Sequence, residues 1–322
     1  MVNSAVSLDT VRAAADLLQS HIRHTPMLDA CHARMSLPHP CRLHLKLEQL
    51  QLTGSFKIRG ATHKLLRLSQ RQRQNGIVAA SGGNHGRAVA YLGWKHSIPT
   101  TIFLPCTTPR EKIEAIEHWK VNVEFAGENL NAANKISRDY AEKNNQGFIH
   151  PYANPEVISG QGTLALEVLQ DCASVDVIVV PIGGGGLISG MAVAAKALRP
   201  NLKIIGVEPE GCPTLYNSLR AGHVVAVPEI TTEVGTLAIQ QTTDVNFNLV
   251  HNHVDDVVLV SDQDMHNASR WLWQEFGIAA ELSGAASVAS LLAKKIQVDP
   301  CVQICAVISG MGADGINSGE PL

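Results

Sequence analysis

The feature that most restricts this chain is an alternation. Short runs rich in apolar and β-branched residues recur along it, at Leu43 to Leu47, Ile77 to Ala80, Thr100 to Leu104, Val121 to Phe125, Val177 to Val180, Ile204 to Val207, Val257 to Val260 and Ile304 to Ser309. Stretches with helical spacing fill most of the gaps: "HGRAVAYLGWKH", "PREKIEAIEHW", "NAANKISRDYAEKN", "GTLALEVLQDC" and "LISGMAVAAKAL". Strands that alternate with helices form parallel sheets covered on both faces, so an α/β fold is expected.

Three of the strands and their helices cluster between Gly76 and His150, enough for a small doubly wound unit. The remaining strands come from both ends of the chain. The expected organisation is therefore two doubly wound α/β domains, a large one from residues 1–75 and 151–322 and a small one from residues 76–150. The active site belongs in the cleft between them, where small-molecule sites form most often. "LPHPC", from Leu37, reads as a proline-punctuated loop.

Composition removes several function classes. With 322 residues, 45% of them hydrophobic, 17% charged and a net charge of −3, the chain can bury a large core and lacks the basic run that nucleic acid requires. A small, roughly neutral substrate is expected, with no nucleic acid and no membrane partner. The opening "MVNSAVSLDTVRAAADLL" is amphipathic and has neither a basic n-region nor an apolar h-region, so no signal peptide is expected there. The seven cysteines are scattered with no Cys-x-x-Cys spacing, which reads as reduced core thiols in a cytoplasmic protein.

Two glycine clusters follow strands and open helices. "IGGGGLISG" places Gly183, Gly184, Gly185 and Gly186 ahead of Leu187, so successive backbone N–H groups and a helix N-terminus can converge on a phosphate. No Lys-Ser/Thr pair follows, which excludes a Walker A loop. Gly184, Gly186 and Ser189 nearly satisfy a dinucleotide fingerprint, with Glu208 about twenty residues further on, so nicotinamide binding stays open. The second cluster, "ASGGNHGRAVAYL", presents Ser81, Gly82, Gly83, Asn84 and His85 in a loop suited to a substrate carboxylate. His85, alone at a helix start, reads as structural rather than as an acid or base.

The remaining motif is "LTGSFKIRGA". A lysine is ordinarily a solvated surface residue, but Gly54 permits close backbone approach and Phe56 supplies an aromatic wall beside Lys57, whose amine could then be desolvated into a nucleophile.

Lysine, carboxylate loop and glycine cup, in that order, resemble the fold-type II pyridoxal-phosphate enzymes, in the branch of threonine/serine dehydratases and serine racemases. The resemblance runs through "HIRHTP", "HPYANPEVISGQGTLALEVL", "GVEPEG" and "VDDVVLVSDQDM". It implies a pyridoxal 5'-phosphate cofactor bound as a Schiff base to Lys57, flanked by Phe56 and Asn84, with its phosphate on Gly183 to Leu187. It also implies that Ser309 faces the pyridine nitrogen, that Glu281 of "ELSGAAS" lies near the ring, and that Ser81 to His85 hold the substrate carboxylate. A serine hydroxyl cannot hold the ring nitrogen protonated as a carboxylate would, which suits elimination more than transamination. The implied activity is a lyase of the ammonia-lyase type, converting threonine, serine or 3-hydroxyaspartate to a 2-oxo acid, and the implied assembly is a homodimer.

The departures from that pattern carry expectations too. Racemases of the branch place a serine where Gly82 stands, so a dehydratase is expected over a serine or aspartate racemase. Relatives with a metal site have a second acid where Thr214 stands, so Glu208 is the one candidate ligand and no divalent or monovalent cation is predicted. "TLAIQQTTDVNF" puts Ile239 at an aspartate position and should border the substrate side chain or the domain interface. "ISGMGADG" lacks the usual Ser-Gly-Gly-Asn ending. The chain stops soon after its last strand, so feedback control by isoleucine is not expected. Three further classes compete: a β-replacement synthase, disfavoured by Ile58 after the lysine, a nicotinamide-dependent oxidoreductase, and a non-catalytic amino acid sensor.

Overall fold

The computed structural model describes residues 5–35, 41–128, 130–297 and 299–317; most of "LPHPC" lies outside them. Its strands are β1 (Met27–Asp29), β2 (Arg42–Lys46), β3 (Ile77–Ala80), β4 (Thr100–Leu104), β5 (Asn122–Phe125), β6 (Gly147–Phe148), β7 (Val177–Pro181), β8 (Lys203–Pro209), β9 (Asp256–Val260) and β10 (Gln303–Val307). They form a six-stranded sheet in the order β1-β2-β10-β7-β8-β9 and a four-stranded sheet in the order β5-β4-β3-β6. Every pairing is parallel except β1 on β2, an antiparallel edge with Met27 opposite Lys46.

The sequence misses β1 and β6. At three and two residues they carry no periodicity of their own, and their neighbours in the sheets make them strands. The small sheet therefore has four strands where three are expected.

The interior strands are covered on both faces, and their side chains alternate between two cores. On β7, Val177 and Val179 join the core on one face while Ile178 and Val180 join the core on the other. The central helix Pro155–Asp171 starts well before the predicted Gly162, with Pro155 in its first turn and Asn154 accepting from the N–H groups of Glu156 and Val157. Its internal glycines look like helix breakers and are instead points of close approach. A Cβ on Gly160 would lie 2.8 Å from the Cα of Gly60, and one on Gly162 would lie 2.7 Å from the carbonyl oxygen of Gly190. The helices Lys57–Arg67 and Gly186–Leu198 can thus press against it at these points, which fixes where the lysine and the glycine cup start.

Cys172, Cys212 and Cys305 are buried as reduced core thiols, whereas Cys31, Cys106 and Cys301 are exposed. The first cysteine of "CVQICAVIS" is thus a surface residue, just ahead of the strand that buries the second.

Candidate active site

Each sheet sends loops from the carboxyl ends of its strands toward one cleft, the usual place for ligands in parallel α/β sheets. β3 leads to Ser81–Gly83, β7 to the tetraglycine, and β10 to Ser309. The cleft encloses about 370 Å³, and Phe56, Lys57, Ser81 to His85, Gly183 to Leu187, Glu281 and Ser309 all line it. Among the expected site residues, Glu208 alone stands elsewhere.

Lys57 opens its helix behind a strained turn. Thr53 has φ of 63° and Gly54 φ of 77°, and for a β-branched residue that left-handed geometry is costly and must be held by its surroundings. The helix is then pinned from within. Fully buried Arg59 donates through Nε and Nη2 to the two carboxylate oxygens of Glu48, both at 2.7 Å, and through Nη1 to Glu167 at 2.6 Å. Lys46 meets the other Glu167 oxygen at 2.9 Å and Asp171 at 2.8 Å. This network ties the first turn of the lysine helix to β2 and to the central helix.

Lys57 Nζ donates to the carbonyl of Pro151 at 2.9 Å and stands 5.1 Å from the centre of the Phe56 ring. Burial pushes its ammonium down to about 8, with the Glu281 carboxylate pulling partway back. Glu281 accepts from Asn84 Nδ2 at 2.6 Å and from Ser283 Oγ at 2.5 Å, and burial pushes its carboxyl above the usual range. Ser309 Oγ donates to the carbonyl of Ser283 at 3.4 Å. The neutral serine, the amide and the glutamate thus sit together on one wall.

The glycine cup lines the same cleft, and Tyr152, packed on Gly184, follows the Pro151 carbonyl that Lys57 reaches. Among the described residues no backbone acceptor takes the N–H of Gly183, Gly184 or Gly185. Gly185 has φ of 91°, and a Cβ on Gly184 would lie 2.3 Å from the ring of Tyr152. The carbonyl of Gly184 is held by Asn246 Nδ2 at 2.8 Å and by Thr242 Oγ1 at 3.1 Å. Sequence reasoning missed Tyr152, Asn246 and the Pro151 carbonyl. Tyr152 and Pro151 lie inside the quoted "HPYANPEVISGQGTLALEVL" and Asn246 inside the quoted "TLAIQQTTDVNF", and neither stretch singles them out without the fold. The loop holding Ile239 does border the cleft, through Thr236, Leu237 and Ile239.

His85 and His150 are held neutral. Burial lowers both to about 3, His85 pairing with the Ile149 carbonyl at 2.8 Å and His150 Nδ1 accepting from Tyr152 and Ala153 N–H. Glu208 is buried, its two oxygens accepting the N–H groups of Leu215 and Tyr216, each at 2.8 Å. Both oxygens are thus occupied at the start of the Thr214–Ala221 helix, and the nicotinamide reading loses the carboxylate it needs for a ribose hydroxyl.

Comparison with known proteins agrees with this geometry. Residues 18–310 match a family described as "Pyridoxal-phosphate dependent enzyme". An L-threonine ammonia-lyase of Thermotoga maritima is 37% identical over 309 residues, covering 96% of this chain and 76% of that protein. The biosynthetic L-threonine dehydratase IlvA of Bacillus subtilis is 35% identical over 312 residues, covering 96% and 74%. Maize serine racemase has a similar structure, with a TM-score of 0.90 at 31% identity over 96% of this chain and 94% of that one.

Proposed function

Because this chain belongs to the pyridoxal-phosphate-dependent enzymes, we propose that it works as an ammonia-lyase on 3-hydroxy amino acids, releasing a 2-oxo acid. Pyridoxal 5'-phosphate is its cofactor, and the residues present fit it. The cup offers free N–H groups with no Cβ in the way, and the lysine of the same cleft has an amine that burial has made easier to deprotonate. That pairing within one cleft carries the reading.

When bound, the cofactor supplies an aldehyde that takes up an amine and a ring that draws electron density from the substrate's Cα. Gly183 to Leu187 would hold its phosphate through backbone N–H groups, and Phe56 and Asn84 would flank its ring. Asn84 is oriented for this by its bond to Glu281. Ser309 would offer the ring nitrogen a hydroxyl and no charge, which favours elimination. Ser81, Gly82, Gly83 and Asn84 receive the substrate carboxylate, with His85 bracing the loop from behind through Ile149. Lys57 Nζ, neutral in a sizeable fraction near pH 8, removes the Cα proton and carries it. The 3-hydroxyl leaves as water, and one water returns to the released enamine to give the oxo acid and ammonia.

Relatives named as threonine ammonia-lyase and dehydratase support this reading. One observation favours a racemase as the second reading. Beside Gly82, where a hydroxyl is missing, Thr108 Oγ1 lies 3.7 Å from the point a Cβ would occupy. That hydroxyl already donates to the Pro105 carbonyl at 2.8 Å, so the lyase is preferred. We also assign residues 76–150 to a small domain and residues 1–75 and 151–322 to a large one, and the protein to the cytoplasm as a homodimer. Among the described residues no helix is long and apolar enough to cross a membrane.

Incubating the cofactor-loaded protein with L-threonine, L-serine and 3-hydroxyaspartate should release 2-oxo acid from at least one. No release from any, or inverted amino acid as the sole product on chiral analysis, overturns the lyase.

A further inference from the structure

One cationic side chain of the cleft has no part in the chemistry above. Lys112 lies in the first turn of the helix Arg110–Glu117, beyond β4, and lines the cleft. Its Nζ reaches across to the facing loop, 3.8 Å from the point where a Cβ on Gly235 would stand. That loop continues through Thr236, whose carbonyl oxygen lies 3.0 Å from a Cβ position on Gly183. The ammonium therefore stands at the cleft, beside the loop that borders the glycine cup.

Three of the neighbouring carboxylates are engaged elsewhere, and Glu111, the residue before Lys112, is exposed to solvent. Glu114 and Glu117 of the same helix pair with Arg110, and Glu233 of the facing loop pairs with His266. Among the described residues Lys112 has no ion pair. Of the wall's other side chains, His85 is neutral and the Glu281 carboxylate is buried and bonded to Asn84 and Ser283. The α-carboxylate of a substrate already has the Ser81–Asn84 loop. Lys112 is thus a second anion partner, and a zwitterionic amino acid with an uncharged side chain has no group for it.

We infer that Lys112 selects a 3-hydroxy amino acid whose side chain ends in a carboxylate, of the 3-hydroxyaspartate type, over threonine and serine. The inference rests on the lyase reading for its chemistry. Cα–H and Cβ–O break and one water leaves, then one water returns at Cα as ammonia departs, giving a 2-oxo dicarboxylic acid. A lysine pair at a hydrated cleft mouth is modest, so selection of about two- to fivefold is expected, weakening as salt screens it.

The test compares kcat/KM for threo-3-hydroxyaspartate and L-threonine in the cofactor-loaded wild type, Lys112→Gln and Lys112→Arg. The wild type should prefer the dicarboxylate. Lys112→Gln should cut the ratio of the two about two- to fivefold, Lys112→Arg should retain most of it, and added potassium chloride should lower it in the wild type. A ratio unchanged by Lys112→Gln, or an equal loss on both substrates, overturns the inference. Binding is read separately, by the change that L-aspartate or L-alanine causes in the cofactor's visible absorption. If no substrate yields oxo acid the lyase reading fails, and a Lys112→Gln protein that still favours aspartate over alanine as the wild type does overturns the role of Lys112.

Discussion

Adding one methyl group to the glycine cup should cost the protein its cofactor. In Gly184→Ala the new Cβ would lie 2.3, 2.4 and 2.6 Å from Cγ, Cδ1 and Cδ2 of Tyr152, so it meets the ring over its face. Ordinary contact needs the ring to retreat by about 1 Å. Tyr152 is 7% exposed, His150 packs edge-on against it at 4.7 Å, and its carbonyl accepts from Asn246, so retreat is obstructed. Overpacking of this kind costs about 1–3 kcal/mol. If the strain falls on the cup, cofactor affinity drops roughly 5- to 150-fold, at about 1.4 kcal/mol per tenfold. Titrating apoprotein with pyridoxal 5'-phosphate and following visible absorption gives the dissociation constant, and a urea melt shows whether the fold absorbs the strain instead. Removing the ring in Gly184→Ala/Tyr152→Ala should recover part of the loss, as expected for a pair in direct contact. Wild-type affinity and stability in Gly184→Ala would refute the reasoning.

Two more outcomes follow from the lysine and its anchor. The rate of cofactor uptake by apoprotein should rise with pH and level off above about 8, because burial lowers Lys57 from 10.5; a rise that continues past pH 10 contradicts this. Glu281→Gln removes the charge that pulls Lys57 upward, so the midpoint should move lower. By linkage, the lowered value makes the apoprotein gain stability from this group as pH rises from about 8 to 10.5, where the unfolded chain still holds the proton. Arg59→Met leaves the Glu48 carboxylate buried without its bidentate partner, and urea denaturation should show a loss of about 3–5 kcal/mol; a loss under about 1 kcal/mol would mean that the pair is not holding the helix.

Much of this arrangement is legible in the residues because local chemistry and global fold agree there. Ile77–Ala80 and Thr100–Leu104 have the bounds their sequences predict, since both are buried β-branched and apolar runs. The cup is legible for the same reason: four glycines between a buried strand and an apolar helix let successive backbone N–H groups turn to one point. The rest depends on contacts distant in sequence. Gly160 and Gly162 look like breakers until Gly60 and Gly190 are seen pressed against them. Glu208 looks like a ribose or metal ligand until the Leu215 and Tyr216 amides are found on its oxygens. Lys112 is an ordinary helix lysine in the sequence, and only the facing Gly235 loop places it at the cleft.

Which amine carries the cofactor decides the chemistry of this site. Borohydride reduction of the loaded protein, followed by peptide mass mapping, should abolish the visible band and leave the cofactor-derived mass on Lys57. Finding that mass on another lysine, or on none, would contradict it.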